Sequence, residues 1–179
     1  MSAQLNIRPI APSDIEPVAD LLAALATEFI IGKFAPEAQQ RFLANNNAAA
    51  IRDLIACGYR YHVAELNGEV AGFAGVRDNK HLYHLFVEKS AQQCGLGRRL
   101  WHFAKHDCLN NGHRAVFTVN ASDNAVQFYE RLGFIWDGVA QNANGVLYNP
   151  MRLQADVEQH DLVRSLRPID PLIAVLTIL

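Results

Sequence analysis

The chain has 179 residues, of which 50% are hydrophobic and 19% charged, with a formal net charge of −2. That composition suits one globular domain with a sizeable core and gives no general electrostatic case for nucleic acid. No apolar run approaches the roughly 20 residues that span a bilayer. Cys57, Cys94 and Cys108 form no C-x-x-C pair, and Met1-Ser2-Ala3-Gln4 begins no basic-then-apolar leader, so a reducing cytoplasm is the expected location.

Leu5 to Ile10 reads as a first strand, and Ser13-Asp14-Ile15-Glu16 as a capping box opening a helix with Val18, Leu22, Leu25 and Phe29 at helical spacing. Pro36 to Cys57 predicts one or two further helices, interrupted around Asn45-Asn46-Asn47. Tyr59 to Leu66 and Val70 to Val76 predict strands joined by an Asn67-Gly68 hairpin turn. His81 to Val87 is a further strand. Simple alternation there groups His81, Tyr83, Leu85 and Val87 on one face and Leu82, His84 and Phe86 on the other.

Leu96 to Leu109 predicts a helix ended by Asn111-Gly112, Ala115 to Val119 a buried strand, and Asp123 to Leu132 a short helix ended by Gly133. Phe134 to Val139 and Val146 to Leu153 predict a final hairpin around Asn142-Ala143-Asn144-Gly145. The order β-α-α-β-β-β-α-β-α-β-β mixes hairpins with one crossover. It implies an α/β (mixed α+β) fold: a single mixed, mostly antiparallel sheet flanked by helices. Residues 1–155 read as one domain and residues 156–179 as a tail ending in the apolar, β-prone run Leu172 to Leu179. Such a run packs on the domain, adds to a sheet edge, buries in a partner subunit of a homodimer, or is a non-native extension.

The stretch Gln92-Gln93-Cys94-Gly95-Leu96-Gly97 lies between a predicted strand and a predicted helix, the arrangement that presents backbone amides to a phosphate. It is not a dinucleotide fingerprint, because Leu100 stands where the third glycine belongs, and no Gly-Lys-Ser/Thr makes a P-loop. Gln-x-x-Gly-x-Gly after a strand resembles the acyl-CoA pyrophosphate loop of the GNAT superfamily of N-acetyltransferases. One helix and one strand later, Asn120, Asn124, Phe128, Tyr129, Gly133 and Phe134 resemble the same family's second motif, in which asparagine near a strand's end is followed by F-Y-x-x-x-G-F. Glyoxalase-like metal enzymes share the F-Y-x-x-L-G-F part, but they repeat a β-α-β-β-β module that is not found here.

The resemblance implies acyl-CoA held between a splayed fourth and fifth strand. Backbone groups around Phe86 and Val87 would meet the pantetheine arm. Gln92 opens the loop, and amides of Gln93, Cys94, Gly95, Leu96, Gly97 and Arg98 would hold the pyrophosphate, with charge from Arg98 or Arg99. Lys89 and Ala91 replace the family's usual Pro and aromatic residue. Asn120 and Asn124 are assigned to the cofactor side; for Asn124 helix capping is the plain alternative.

By the same resemblance, Tyr129 is the acid that protonates the leaving thiolate, against a core tyrosine as the structural alternative. His81 is the candidate base; His84 reads as structural, Glu65 is more remote, and water serves equally. His102 and His106, one turn apart, read as a solvated face rather than a metal pair. Cys94 reads as a redox-sensitive thiol at a helix start, not a nucleophile. The implied activity is transfer from acetyl-CoA to the amine of a small molecule or peptide, by direct attack in a ternary complex, with no metal, membrane or nucleic-acid partner. The alternative is a non-catalytic acyl-CoA-binding regulatory module.

Overall fold

The computed structural model of the protein describes residues 4–112, 116–143 and 146–154. The apolar tail, and the Asn144-Gly145 turn, lie outside the described residues. The N-terminal strand β1 (Leu5–Pro9) is followed by three helices: α1 (Ile15–Phe29), α2 (Pro36–Asn45) and α3 (Ala48–Ala56). Strands β2 (Arg60–Leu66), β3 (Glu69–Arg77) and β4 (His81–Val87) form a meander. Helix α4 (Leu96–Asn110) then crosses to β5 (Val116–Ala121), and α5 (Val126–Arg131) leads to β6 (Ile135–Trp136), β7 (Gln141–Ala143) and β8 (Val146–Gln154). The sheet order is β1-β2-β3-β4-β5-β8-β6, with β7 also on β8. Among the described residues every pairing is antiparallel except β4 with β5.

Local chemistry accounts for most boundaries. Asn67 and Gly68 both take positive φ, 54° and 93°, as a two-residue hairpin turn requires. Asn47 separates α2 from α3 by accepting the Ala50 amide at 2.9 Å, so the region is two helices rather than one. The expected Ser13–Glu16 capping box does not form. Asp14 instead accepts the Ala11 amide at 2.7 Å and a two-pronged bond from Arg8 at 2.6 and 3.0 Å. The Arg8 guanidinium holds the Asp14 carboxyl below its ordinary range. The final hairpin is also broken: Ile135 and Trp136 pair with Arg152 and Met151, and Gly138 at φ 125° turns the chain before β7 pairs separately.

Helices cover both faces of the sheet. On one side Leu82, Leu85, Val87, Phe117, Val119 and Met151 pack with Leu100 and Trp101 of α4 and Phe128 and Tyr129 of α5. On the other, Val63, Phe73 and Phe86 pack with Val18, Leu22 and Ile51 of the first helices. Fully burying each such side chain contributes about 1.5–3 kcal/mol, so each face is a substantial core in its own right.

The strand between these cores is not regular. Its pairing with β3 steps from Gly75 opposite His84 to Val76 opposite Leu82, leaving Tyr83 as an extra residue. A bulge of one residue reverses side-chain parity beyond it. Leu82 therefore shares the α4 side with Leu85 and Val87, and His84 and Phe86 share the α1 side. This corrects the simple alternation, which placed Leu82 with His84 and His81 with Leu85.

Candidate active site

The site begins where β4 and β5 part. They are in register only at His81 with Thr118 and Leu82 with Val119, and the Thr118 amide donates to the Lys80 carbonyl at 3.0 Å. Strand β4 then runs on to Val87 and β5 to Ala121 without a registered pair between them among the described residues. The result is a V-shaped gap that opens toward the carboxyl ends of both strands. Parallel strands open in this way leave backbone groups unpaired, and such groups need partners.

The loop after β4 closes the open end. The Glu88 amide donates to Ala71 at 2.8 Å, and the Gln92 side chain donates to the Val87 carbonyl at 2.9 Å. Gln92 thus braces the loop onto β4. Lys89–Cys94, which includes Gln93, winds as a 3-10 turn, and Gly95 follows at φ 71° with nothing near its α-carbon's open side. Arg99 donates to the Gly95 carbonyl at 3.1 Å, so the amides of Leu96, Gly97 and Arg98 precede the helix's own ladder, and no side chain caps them. The Arg98 Nε is buried without a partner, while Arg99 and Cys94 are exposed. Uncapped amides at the positive end of a helix, beside a guanidinium, suit a phosphate group.

The second glycine of the loop has a different use. A β-carbon on Gly97 would stand 3.3 Å from the Phe128 ring and 3.6 Å from Val87 Cγ2. Its absence lets Phe128 of α5 close on the start of α4. Tyr129 lies one residue further along α5, wholly buried, with ring centroids 5.3 Å from both Phe128 and Phe134. It shares its cluster with Val87, Leu96 and Ala121, which line the strands and helix around the gap. Phe86 is turned to the opposite core, stacked on Phe73 at 5.2 Å.

His81 sits at the narrow end of the V. Its Nδ1 is 2.8 Å from Thr118 Oγ1, a bond that crosses between the two strands, and the residue is 6% exposed. His84, read from the sequence as structural, is fully buried against Tyr61, Tyr83, Phe73 and Phe86. Burial pulls its pKa down to about 3, so it is neutral, with Nδ1 2.8 Å from the Tyr61 hydroxyl. Gly75 makes room for this arrangement, since a β-carbon there would lie 2.7 Å from the Tyr61 ring. Glu65 is committed elsewhere, accepting from Arg8 at 3.0 Å.

Asn120 is half-buried on β5 opposite Pro150. Asn124 is exposed in the 3-10 turn Asp123–Ala125 and accepts from the Ser122 hydroxyl at 2.6 Å rather than capping α5. Asn149 is a site neighbour that the sequence does not announce. It is buried and ties β8 to the end of β5 through Ala121 (3.2 Å) and Asp123 (2.8 Å). Its one sequence signal is an amide residue in the middle of an otherwise strand-like run. His106 bonds Asn110 at 3.1 Å, and no three His, Cys, Asp or Glu side chains gather among the described residues. None of the described helices is long and apolar enough to cross a membrane.

Residues 30–155 match the acetyltransferase (GNAT) domain family. The chain belongs to the GNAT family. Among GNAT relatives, the 5-NmdU N-acetyltransferase of Pseudomonas phage PaMx11 is 33% identical over 93 residues, a match spanning 48% of this chain and 64% of the phage protein. This chain therefore spans less than two thirds of that relative. The GNAT fold itself is matched by a GCN5-related N-acetyltransferase of Rhodopseudomonas palustris, with a TM-score of 0.70 and 24% identity over 87% of this chain and 99% of that one. It is matched equally by the PaiA N-acetyltransferase of Thermoplasma acidophilum in complex with coenzyme A, with a TM-score of 0.70 and 16% identity over 85% of this chain and 99% of the other.

Proposed function

We propose that this chain transfers an acetyl group from acetyl-CoA to a primary amine by direct attack in a ternary complex. The observation that carries the reading is the V between β4 and β5, which ends at an uncapped helix start beside an unpartnered Arg98 Nε. An extended pantetheine arm fits the unpaired strand edge, and a pyrophosphate fits the amides of Leu96, Gly97 and Arg98. Acetyl-CoA supplies the thioester carbon that the amine attacks.

The chain's own groups position and move protons. His81, at the narrow end, accepts a proton from the ammonium, directly or through water, so that the nitrogen lone pair is available. Tyr129 gives its phenolic proton to the sulfur as the carbon–sulfur bond breaks, and the second proton released from the acylated nitrogen restores the phenol through water. Backbone amides of β4 polarise the carbonyl, and holding both reactants in line contributes the largest share of the acceleration.

The reading is tested by titrating acetyl-CoA into the purified chain and then following thiol release with a panel of amines. The panel should include 5-NmdU, the acceptor in the phage relative's name. Saturable binding with amine-dependent thiol release is expected. Binding without release from any amine would favour a regulatory module, and absence of binding would overturn the reading altogether.

A further inference from the structure

The register places four side chains in one row across the sheet. Arg77 of β3 is opposite His81 of β4, His81 is in register with Thr118 of β5, and Thr118 is opposite Arg152 of β8. Residues directly opposite in a sheet share a face. The His81–Thr118 contact at 2.8 Å confirms it for the central pair. On β5 and β8, the neighbours Phe117, Val119, Met151 and Leu153 are buried in the α4 and α5 core, so Thr118 and Arg152 are on the opposite side. Arg77 lies over the Tyr83 ring at 5.9 Å on that same side. The candidate base thus has a guanidinium one strand away on one flank and two strands away on the other. At about 4.8 Å per strand, those distances are comparable with the length of a small bifunctional molecule.

Both cations are only lightly engaged. Arg77 Nε stands 3.8 Å from the Asp78 carboxylate, which is 70% exposed. Among the described residues, Arg152 engages Asp137 through Nε alone, at 3.3 Å, and both groups are nearly half exposed. Exposed pairs of this kind are weak and exchange readily for a better-placed anion. The outer nitrogens of the Arg152 fork remain for a two-pronged contact with a carboxylate or phosphate. A polycationic amine would meet two like charges around the base.

Building on the acetyl-transfer reading, we infer that the acceptor is an amine carrying an anionic group, carboxylate or phosphate, which Arg152 binds, with Arg77 in support, while the amine faces His81. Arg152 is then the specificity-determining residue of the acceptor site, and Arg77 adds to the attraction.

The test uses the full chain saturated with coenzyme A and two matched pairs of amines: β-alanine against its methyl ester, and phosphoethanolamine against ethanolamine. Calorimetric titration should show the anionic member of at least one pair binding about tenfold tighter than its neutral partner, as one good charged contact allows. The pair that discriminates tells carboxylate from phosphate. Arg152→Gln should abolish the difference, and Arg152→Lys should restore part of it. Anionic members that bind no tighter than neutral ones, or that bind not at all while coenzyme A binds normally, overturn the inference alone. It is overturned equally if Arg152→Gln keeps the discrimination while circular dichroism shows a native fold. Loss of coenzyme A binding by the wild-type chain would instead remove the acetyl-transfer reading beneath it.

Discussion

Along its edge, β4 borders the gap with backbone: a stretch without a registered partner among the described residues, the amides of Leu96 to Arg98, and two glycines that let chain segments turn or approach. On its α1 face, β4 carries side chains in a particular set of contacts: His84 with Tyr61, Tyr83 against Tyr59 at 5.2 Å, and His81 with Thr118. A region made of backbone needs few particular residues, and those it needs recur at fixed spacing. A region made of side chains is free to vary with the acceptor. Under the proposed acetyl transfer, the backbone half would receive the donor and the side-chain half the acceptor.

Four changes probe that contrast. Tyr129→Phe keeps the packed ring and removes the hydroxyl. It should lower kcat roughly hundredfold with little change in acetyl-CoA affinity, as loss of a general acid does; steady-state kinetics beside a binding titration will separate the two. Unchanged turnover would leave Tyr129 as a core residue only.

Next in size is acid sensitivity on the side-chain half. Unfolded histidine takes a proton near 6.5, whereas folded His84 does so only near 3. The unfolded chain therefore binds more protons between these values, and stability present above 6.5 is lost as pH falls toward 3. The expected slope from His84 is about 1.4 kcal/mol per pH unit, or about 2 kcal/mol by pH 5. His62, whose pKa burial lowers against the pull of Asp107, acts in the same direction. Urea midpoints at pH 7 and pH 5 measure the loss, and His84→Gln should flatten the slope.

On the backbone half, Gly95→Val forces a branched residue to φ 71°. That conformation costs an L residue roughly 1–2 kcal/mol. If the loop must hold this shape to bind, the acetyl-CoA dissociation constant should rise about tenfold, measured calorimetrically. The smallest effect is expected from Arg52→Ala, which removes an ion pair to Glu16 between side chains 51% and 64% exposed. Its loss should shift stability by under about 0.5 kcal/mol in thermal unfolding. A larger shift would mean that surface contacts hold the first helices more firmly than their buried apolar face does.

The same contrast sets what can be read from residues alone. Strand β4 is legible at His81–Val87, and α4 to within one residue, because hydrophobic period and glycine position declare them. The Gln92–Gly97 and Asn120–Phe134 stretches stand out in the sequence through their resemblance to GNAT motifs. The bulge at Tyr83 is not, since no residue there differs from ordinary strand chemistry; it follows from how β3 and β4 align. Nor is the broken final hairpin, where Gly138 interrupts a run whose apolar residues suggest continuity. The neutral His84 and the buried Asn149 depend on partners distant in sequence, Tyr61 and Ala121. The Arg77–His81–Thr118–Arg152 row exists only once four strands are side by side.

The two registered pairs that join β4 to β5 also make a mechanical seam. The strands from β1 to β4 and those from β5 to β8 are each zipped along most of their length, yet between them the sheet is held by a short stitch. Anything laid along the open edge lengthens that stitch. A bound molecule at one hundred times its dissociation constant adds about 2.7 kcal/mol of stability, and here that gain should be concentrated along the seam. Amide exchange of Tyr83 to Val87, and of Asn120 and Ala121, would then slow more than exchange at the outer strands. Occupancy would be registered as a change in how firmly the two halves of the sheet cohere.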